Sequence, residues 1–222
     1  MSKLWREKKS FKRLNEEWSG ITDILPYERL YETLTPEQLQ KLLRDAKRLH
    51  WQALDLHRCG LETLPPELGN LPDLQFLDLE NGYWSDKDKF KYANENSFSA
   101  LPDSIGNLVN LKRLYLNHTP ITALPDSIGN LANLQILWLT YLFCMTALPD
   151  SIGSLSNLQT LAVLNTPIIT LPDSIKNLAN LQCLYLIDTK ITALPNSIGK
   201  LSHLNVINLS KLWRGRRNEK RN

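Results

Sequence analysis

Leucine and isoleucine return along this chain at unequal but repeated steps. One set runs Leu111, Leu114, Leu116, Ile121, Leu124, Ile128, Leu131, and the same steps begin again at Leu134, Leu158, Leu181 and Leu204. Leu-Pro pairs mark the period: they start at residues 64, 101, 124, 148, 171 and 194, with spacings of 37, 23, 24, 23 and 23. A fixed period in the twenties predicts a stacked array of like units. Within a unit, Leu114-Tyr115-Leu116 alternates inward and outward as a strand does. The "LPDSIGNL" stretch that follows has a proline suited to the first helical position, an Asp-Ser pair that favours local turns, and a glycine that stops a helix. Each unit therefore reads as a short strand, a bend and a brief helical or 3-10 turn. One unit buries too few apolar side chains to offset the entropy of ordering its backbone, so the units must stack strand beside strand and share a core.

About seven strands are expected, beginning near Trp51, Leu74, Leu111, Leu134, Leu158, Leu181 and Leu204. Two units depart from the pattern. One carries 14 extra residues, Tyr83 to Asn96, and another carries one extra residue in "TYLFCM" (140–145) and lacks the usual threonine. At the N-terminal end, "TPEQLQKLLRDAKRL" offers a capping box of Thr35 and Gln38 with Pro36 at the first helical position. Its apolar face of Leu39, Leu42, Leu43 and Ala46 predicts a helix that covers the end of the array. At the other end Trp213 or a second molecule is expected to cover the last coil. The chain thus divides into a basic segment and helical cap (1–48), the repeats (49–212) and a basic tail (213–222).

The unit LxxLxLxxTxIxxLPxxIxxLxx resembles the leucine-rich repeat. Its "LPxxIGxLxNLxxL" wording is similar to intracellular leucine-rich repeat proteins of the Ras-binding group, their plant relatives and similar bacterial proteins. The resemblance covers about residues 49–212. It implies an α/β fold, a right-handed solenoid with a parallel sheet on the concave side and short convex turns. It also implies that the ninth position of each unit, here Cys59, Thr119, Thr166 and Thr189, bonds backbone carbonyls of neighbouring coils. Protein partners in signalling or host interaction are what the resemblance implies for function, though a fold does not settle a function.

The third, fifth and seventh residues of each strand motif must point away from the leucine core. They make an acidic end from Asp55, Asp78 and Glu80, then an apolar and aromatic stretch that includes Tyr115, Ile136, Trp138, Leu164, Tyr185 and Ile187. A contiguous apolar patch of this kind marks an interface, and aromatic residues and arginine are common anchors. The expected contacts for a protein or peptide partner are Phe76, Arg113, Tyr115, Ile136, Trp138, Tyr185 and Ile187, with Asp55 and Asp78 setting polarity. The plainer alternative is that these rings pack on one another along the ladder. Trp84, in the insertion, is a further candidate contact.

Composition narrows the classes. The net charge of +3 hides an asymmetry: residues 1–20 hold six Lys/Arg against three Glu, and residues 211–222 hold six against one, so the body between is acidic. A second reading assigns nucleic acid or an anionic membrane to these basic tails, and the preferred one leaves them as solvated ends with no nucleic-acid partner. No apolar run reaches the length of a membrane span, and no h-region follows the first basic residues, so a cytoplasmic location is expected. Delivery into a host cell as an effector stays open. Three scattered cysteines without CxxC spacing fit reduced thiols. There is no G-x-S-x-G, no H-E-x-x-H and no phosphate-cradling glycine loop, and no histidine stands at metal-ligand spacing from another. No catalytic residue, cofactor or metal is expected, and the chain is not read as an enzyme. A third reading makes it the recognition part of a larger enzyme, such as the bacterial effectors that join these repeats to a ubiquitin ligase.

Overall fold

The structure is a computed structural model that describes residues 33–81, 94–204 and the backbone of 206–208. One helix, α1 (Pro36–Arg48), is followed by seven short strands: β1 (Ala53–Asp55), β2 (Phe76–Asp78), β3 (Arg113–Tyr115), β4 (Ile136–Thr140), β5 (Thr160–Leu164), β6 (Cys183–Tyr185) and β7 (Val206–Asn208). They form one parallel sheet in sequence order, and the register advances by one repeat at each step: Leu54 beside Leu77, Leu114, Leu137, Leu161, Leu184 and Ile207. A 3-10 turn lies between each pair of successive strands, as in Asp126–Asn130 and Asp150–Ser154. The leucines of all the coils fill one continuous core between sheet and turns, and most are wholly buried. This is the solenoid that the period predicts.

The N-terminal helix forms as its sequence dictates. Thr35 Oγ1 accepts from the Gln38 N–H at 3.3 Å, and Gln38 Oε1 accepts from the Thr35 N–H at 2.8 Å. Leu39, Leu43 and Ala46 enter the leucine core, with Leu42 packed against it. The tails, Trp213 and Trp84 lie outside the described residues.

Three local expectations are corrected. First, the proline of "LPDSIGNL" occupies the position before the turn, not its first residue: Pro102, Pro125, Pro149, Pro172 and Pro195 are N-caps in extended conformation. Among the described 3-10 turns, only that of the first coil contains a proline, Pro66. Second, the glycine after the isoleucine does more than stop a helix. A Cβ on Gly69, Gly106, Gly129 or Gly153 would lie 2.1, 2.5, 2.6 or 2.4 Å from the serine carbonyl oxygen of the next coil. The turns stack too closely there for any side chain.

Third, the threonines at the ninth position do not join neighbouring coils. Thr119 and Thr189 donate to the carbonyls of Leu116 and Leu186 in their own coils. Most of the side-chain joining is done by asparagines. Asn96 donates to Leu56 O of the coil before at 2.9 Å and accepts from its Cys59 and Leu61 N–H groups, while its bond to Leu79 O at 3.0 Å stays within its own coil. Asn81 donates to the carbonyls of Asn96 and His118. At the "NL" of successive coils, Asn110, Asn133, Asn157 and Asn180 each donate to a carbonyl of the coil before, at 2.7–2.8 Å. Asn96 also ends the insertion, and the chain re-enters the repeat at Phe98, buried where other coils hold isoleucine. The irregular 140–145 stretch passes through a left-handed residue, Tyr141 (φ 58°), and buries Leu142 and Met145 while Phe143 and Cys144 stay exposed.

The glycine geometry yields a paired prediction. Gly129→Ala is expected to cost about 2 kcal/mol or more through overpacking, a fall of several degrees in Tm. Gly199→Ala, whose added Cβ meets nothing within 4 Å, leaves Tm unchanged. Calorimetric melting of both variants checks this.

Candidate interaction face

The outward face of the sheet carries side chains that the leucine core cannot use. Parallel strands in register bring equivalent positions of adjacent coils to roughly 4.8 Å, so each side chain rests on its counterparts. Ala53, Phe76 and Tyr115 are buried in a second, smaller apolar cluster, with Ile136 and Trp138 packed against it. The Phe76 and Tyr115 rings meet edge to face at 5.3 Å, and Tyr115 stacks on Trp138 at 5.0 Å. The expectation of a uniformly exposed patch is corrected: Phe76 and Tyr115 are each only 8% exposed, because bulky rings at one repeat's spacing cover one another. Arg113, Ile136, Trp138, Tyr185 and Ile187 are half-buried and accessible, as is Leu164. The aromatic ladder breaks at Ala162, between Trp138 and Tyr185 in the pairing. Tyr185 lies beside Cys183, which pushes its phenol pKa up.

The acidic end is also buried. Asp55 is 4% and Asp78 8% exposed, where the sequence places both at the surface. The same register explains it: Asp55 pairs with Asp78 across adjacent strands. Each carboxylate accepts one N–H from two residues ahead, Asp55 from His57 at 3.0 Å and Asp78 from Glu80 at 2.9 Å. Glu80 Oε2 accepts from Asn117 Nδ2 at 2.6 Å. Asn117 Oδ1 in turn accepts from the N–H and hydroxyl of Thr140. A polar ladder Glu80–Asn117–Thr140 therefore runs across three coils beside the aromatic one.

Burial dominates the charges here. It raises the Asp55 pKa to about 6 and, with repulsion from Glu80 and Asp55, lifts Asp78 well above the usual carboxylate range. Glu80 is raised for the same reason despite its bond from Asn117. Burial, with help from the nearby Arg58 charge, lowers His57 to about 4, so its imidazole is neutral at pH 7. Burial and the two aspartates push the Cys59 thiol up to about 12, which leaves it a thiol with no nucleophilic character at neutral pH. An imidazole nitrogen of His57 and a carboxylate oxygen from each of Asp78 and Glu80 lie within 4.8 Å of one another. Histidine-to-histidine spacing does not reveal this donor set. The signal that does is one repeat's offset, which places position seven of one coil beside positions five and seven of the next.

The crowded carboxylates should oppose folding. A group whose folded pKa is raised contributes stability at low pH and loses it as pH rises through that value; His57, lowered, acts in the opposite sense between about 4 and 6.5. Asp78→Asn keeps the oxygen that accepts from Glu80 and removes the charge among Asp55, Glu80, His57, Arg58 and Cys59. In metal-free buffer at pH 7 it is expected to raise stability by about 1–3 kcal/mol, and the gain should shrink at pH 5. Thermal melts of both proteins at the two pH values check this.

The comparisons with known proteins agree with this architecture. The sequence matches the family described as leucine-rich repeat region over residues 138–219, and the leucine rich repeat over 50–71 and 110–131. Among curated protein sequences none matches. A leucine-rich repeat protein of Leptospira interrogans, LIC12759, is similar in structure at 32% identity, with TM-score 0.55, over 77% of this chain and 45% of its own. The ectodomain of the Arabidopsis thaliana receptor kinase GASSHO1/SCHENGEN3, solved with CASPARIAN STRIP INTEGRITY FACTOR 2, matches at 28% identity and TM-score 0.58, over 78% of this chain and 19% of that one. The repeat domain of the type III effector XCV3220 (XopL) matches at 25% identity and TM-score 0.55, over 72% and 60%. The chain thus spans less than two thirds of each of these relatives. With repeat matches over more than half its length, and seven strands stacked in register on one leucine core, the chain belongs to the leucine-rich repeat proteins.

Proposed function

We propose that this chain is a recognition module that binds a protein or peptide partner on the outward, concave face of its sheet. The observation that carries the reading is the accessible apolar row of Ile136, Trp138, Leu164, Tyr185 and Ile187, backed by buried Phe76 and Tyr115 and bounded at one end by the acidic cluster. These side chains have no role in the leucine core, and half-buried aromatic residues on a rigid support lose little freedom on binding. Trp138 and Tyr185 are the anchors, with Ile136 and Ile187 beside them. Tyr115 supports Trp138 by stacking beneath it. Arg113 and the Asp55–Asp78 end set the orientation of the partner. The similar plant ectodomain, solved in complex with a factor, lends support to a ligand-binding role. Among the described residues no helix is long and apolar enough to cross a membrane.

Trp138→Ala/Tyr185→Ala is expected to lose capture of a partner from a native lysate at physiological salt, with Tm close to wild type. A control substitution at exposed Val109, in the loop before β3, should retain it. Equal capture by all three proteins would mean that the row is packing alone. Capture that collapses with salt and survives the double substitution would move binding to the basic tails.

A further inference from the structure

We propose that His57, Asp78 and Glu80 form a binding site for a divalent cation of the zinc class, at the acidic end of the sheet's outward face. The donors are one imidazole nitrogen and two carboxylate oxygens, all within 4.8 Å of one another, with His57 Nδ1 already 3.8 Å from Glu80 Oε1. One nitrogen and two oxygens suit zinc or a neighbouring transition metal; calcium takes six to eight oxygens. Bonds of about 2.0–2.2 Å place tetrahedral donors roughly 3.3 Å apart, so small side-chain rotations close the site.

The burial of Asp78 adds to the donor geometry. Asp78 is more than nine-tenths buried, and its carboxylate takes one hydrogen bond, on Oδ1. Among the described residues no lysine or arginine forms an ion pair with Asp55, Asp78 or Glu80. Buried carboxylates are costly unless they are paired or bind a metal. The surroundings also fix the donors as metal sites do. Because Thr140 occupies Asn117 Oδ1 with two hydrogen bonds, the Asn117 amide must present its N–H to Glu80 Oε2, which leaves Oε1 toward His57. Three protein ligands leave a fourth position for water, or for a carboxylate or imidazole of a bound partner.

The test is calorimetric titration of the metal-stripped full chain with zinc at pH 7, in a Cys144→Ser background that removes the exposed thiol. The expected result is one saturable site, weakened at least a hundredfold by Asp78→Asn and by Glu80→Gln, and tenfold or more by Asn117→Ala. Calcium at the same concentration should leave Tm unmoved while zinc raises it. The less buried Glu80→Gln gives a readout independent of any change in stability from Asp78→Asn. No saturable binding by the parent chain, or equal binding by a folded Glu80→Gln variant, would overturn the proposal.

Discussion

A coil of about 23 residues cannot offset the entropy of its own ordering, so every coil here depends on backbone contact with the next. The contact is visible as a column of amides: Gln75 to Gln52, Lys112 to Gln75, Gln135 to Lys112, Gln159 to Gln135 and Gln182 to Gln159, each N–H donating to the carbonyl one coil back at 2.7–2.9 Å. A second column of asparagine side chains repeats the connection before β3, β4, β5 and β6. The glycines let the 3-10 turns approach until backbone meets backbone. Stability in such an array is a sum of weak coils and strong interfaces between them.

The same stacking determines what the outward face can be. Strict register places like positions on top of one another, so any residue type repeated at one position becomes a ladder. Rings at positions three and five cover each other and become a second apolar cluster. Carboxylates at the same positions are forced together and buried. The face is therefore a row of accessible apolar side chains beside a pocket of uncompensated negative charge, and both follow from one period. The recognition surface and the cation site we propose are two consequences of that constraint.

Much of this was legible in the sequence because it rests on period alone. The strands, the shared core, the capping box at Thr35 and Gln38, and the outward residues all follow from counting. What was not legible depends on distances between coils. Asn96 sits at the end of an insertion, so counting on from Leu74 misses it, yet it makes three hydrogen bonds to the coil before. Gly129 reads as a helix stop until the Ser151 carbonyl is placed 2.6 Å from its missing Cβ. Tyr115 reads as an exposed anchor until its neighbours are set at ladder spacing. His57 reads as a lone histidine because its partners, Asp78 and Glu80, lie about one coil further on.

Native-state hydrogen exchange tests the dependence of each coil on its neighbours most directly. If the coils stand only together, the amides of Gln75, Lys112, Gln135, Gln159 and Gln182 exchange through one common opening. A substitution that loosens one interface, such as Gly129→Ala, then lowers their protection across several coils at once. Protection that differs freely from coil to coil, or that falls only in the coil carrying the substitution, would contradict the account.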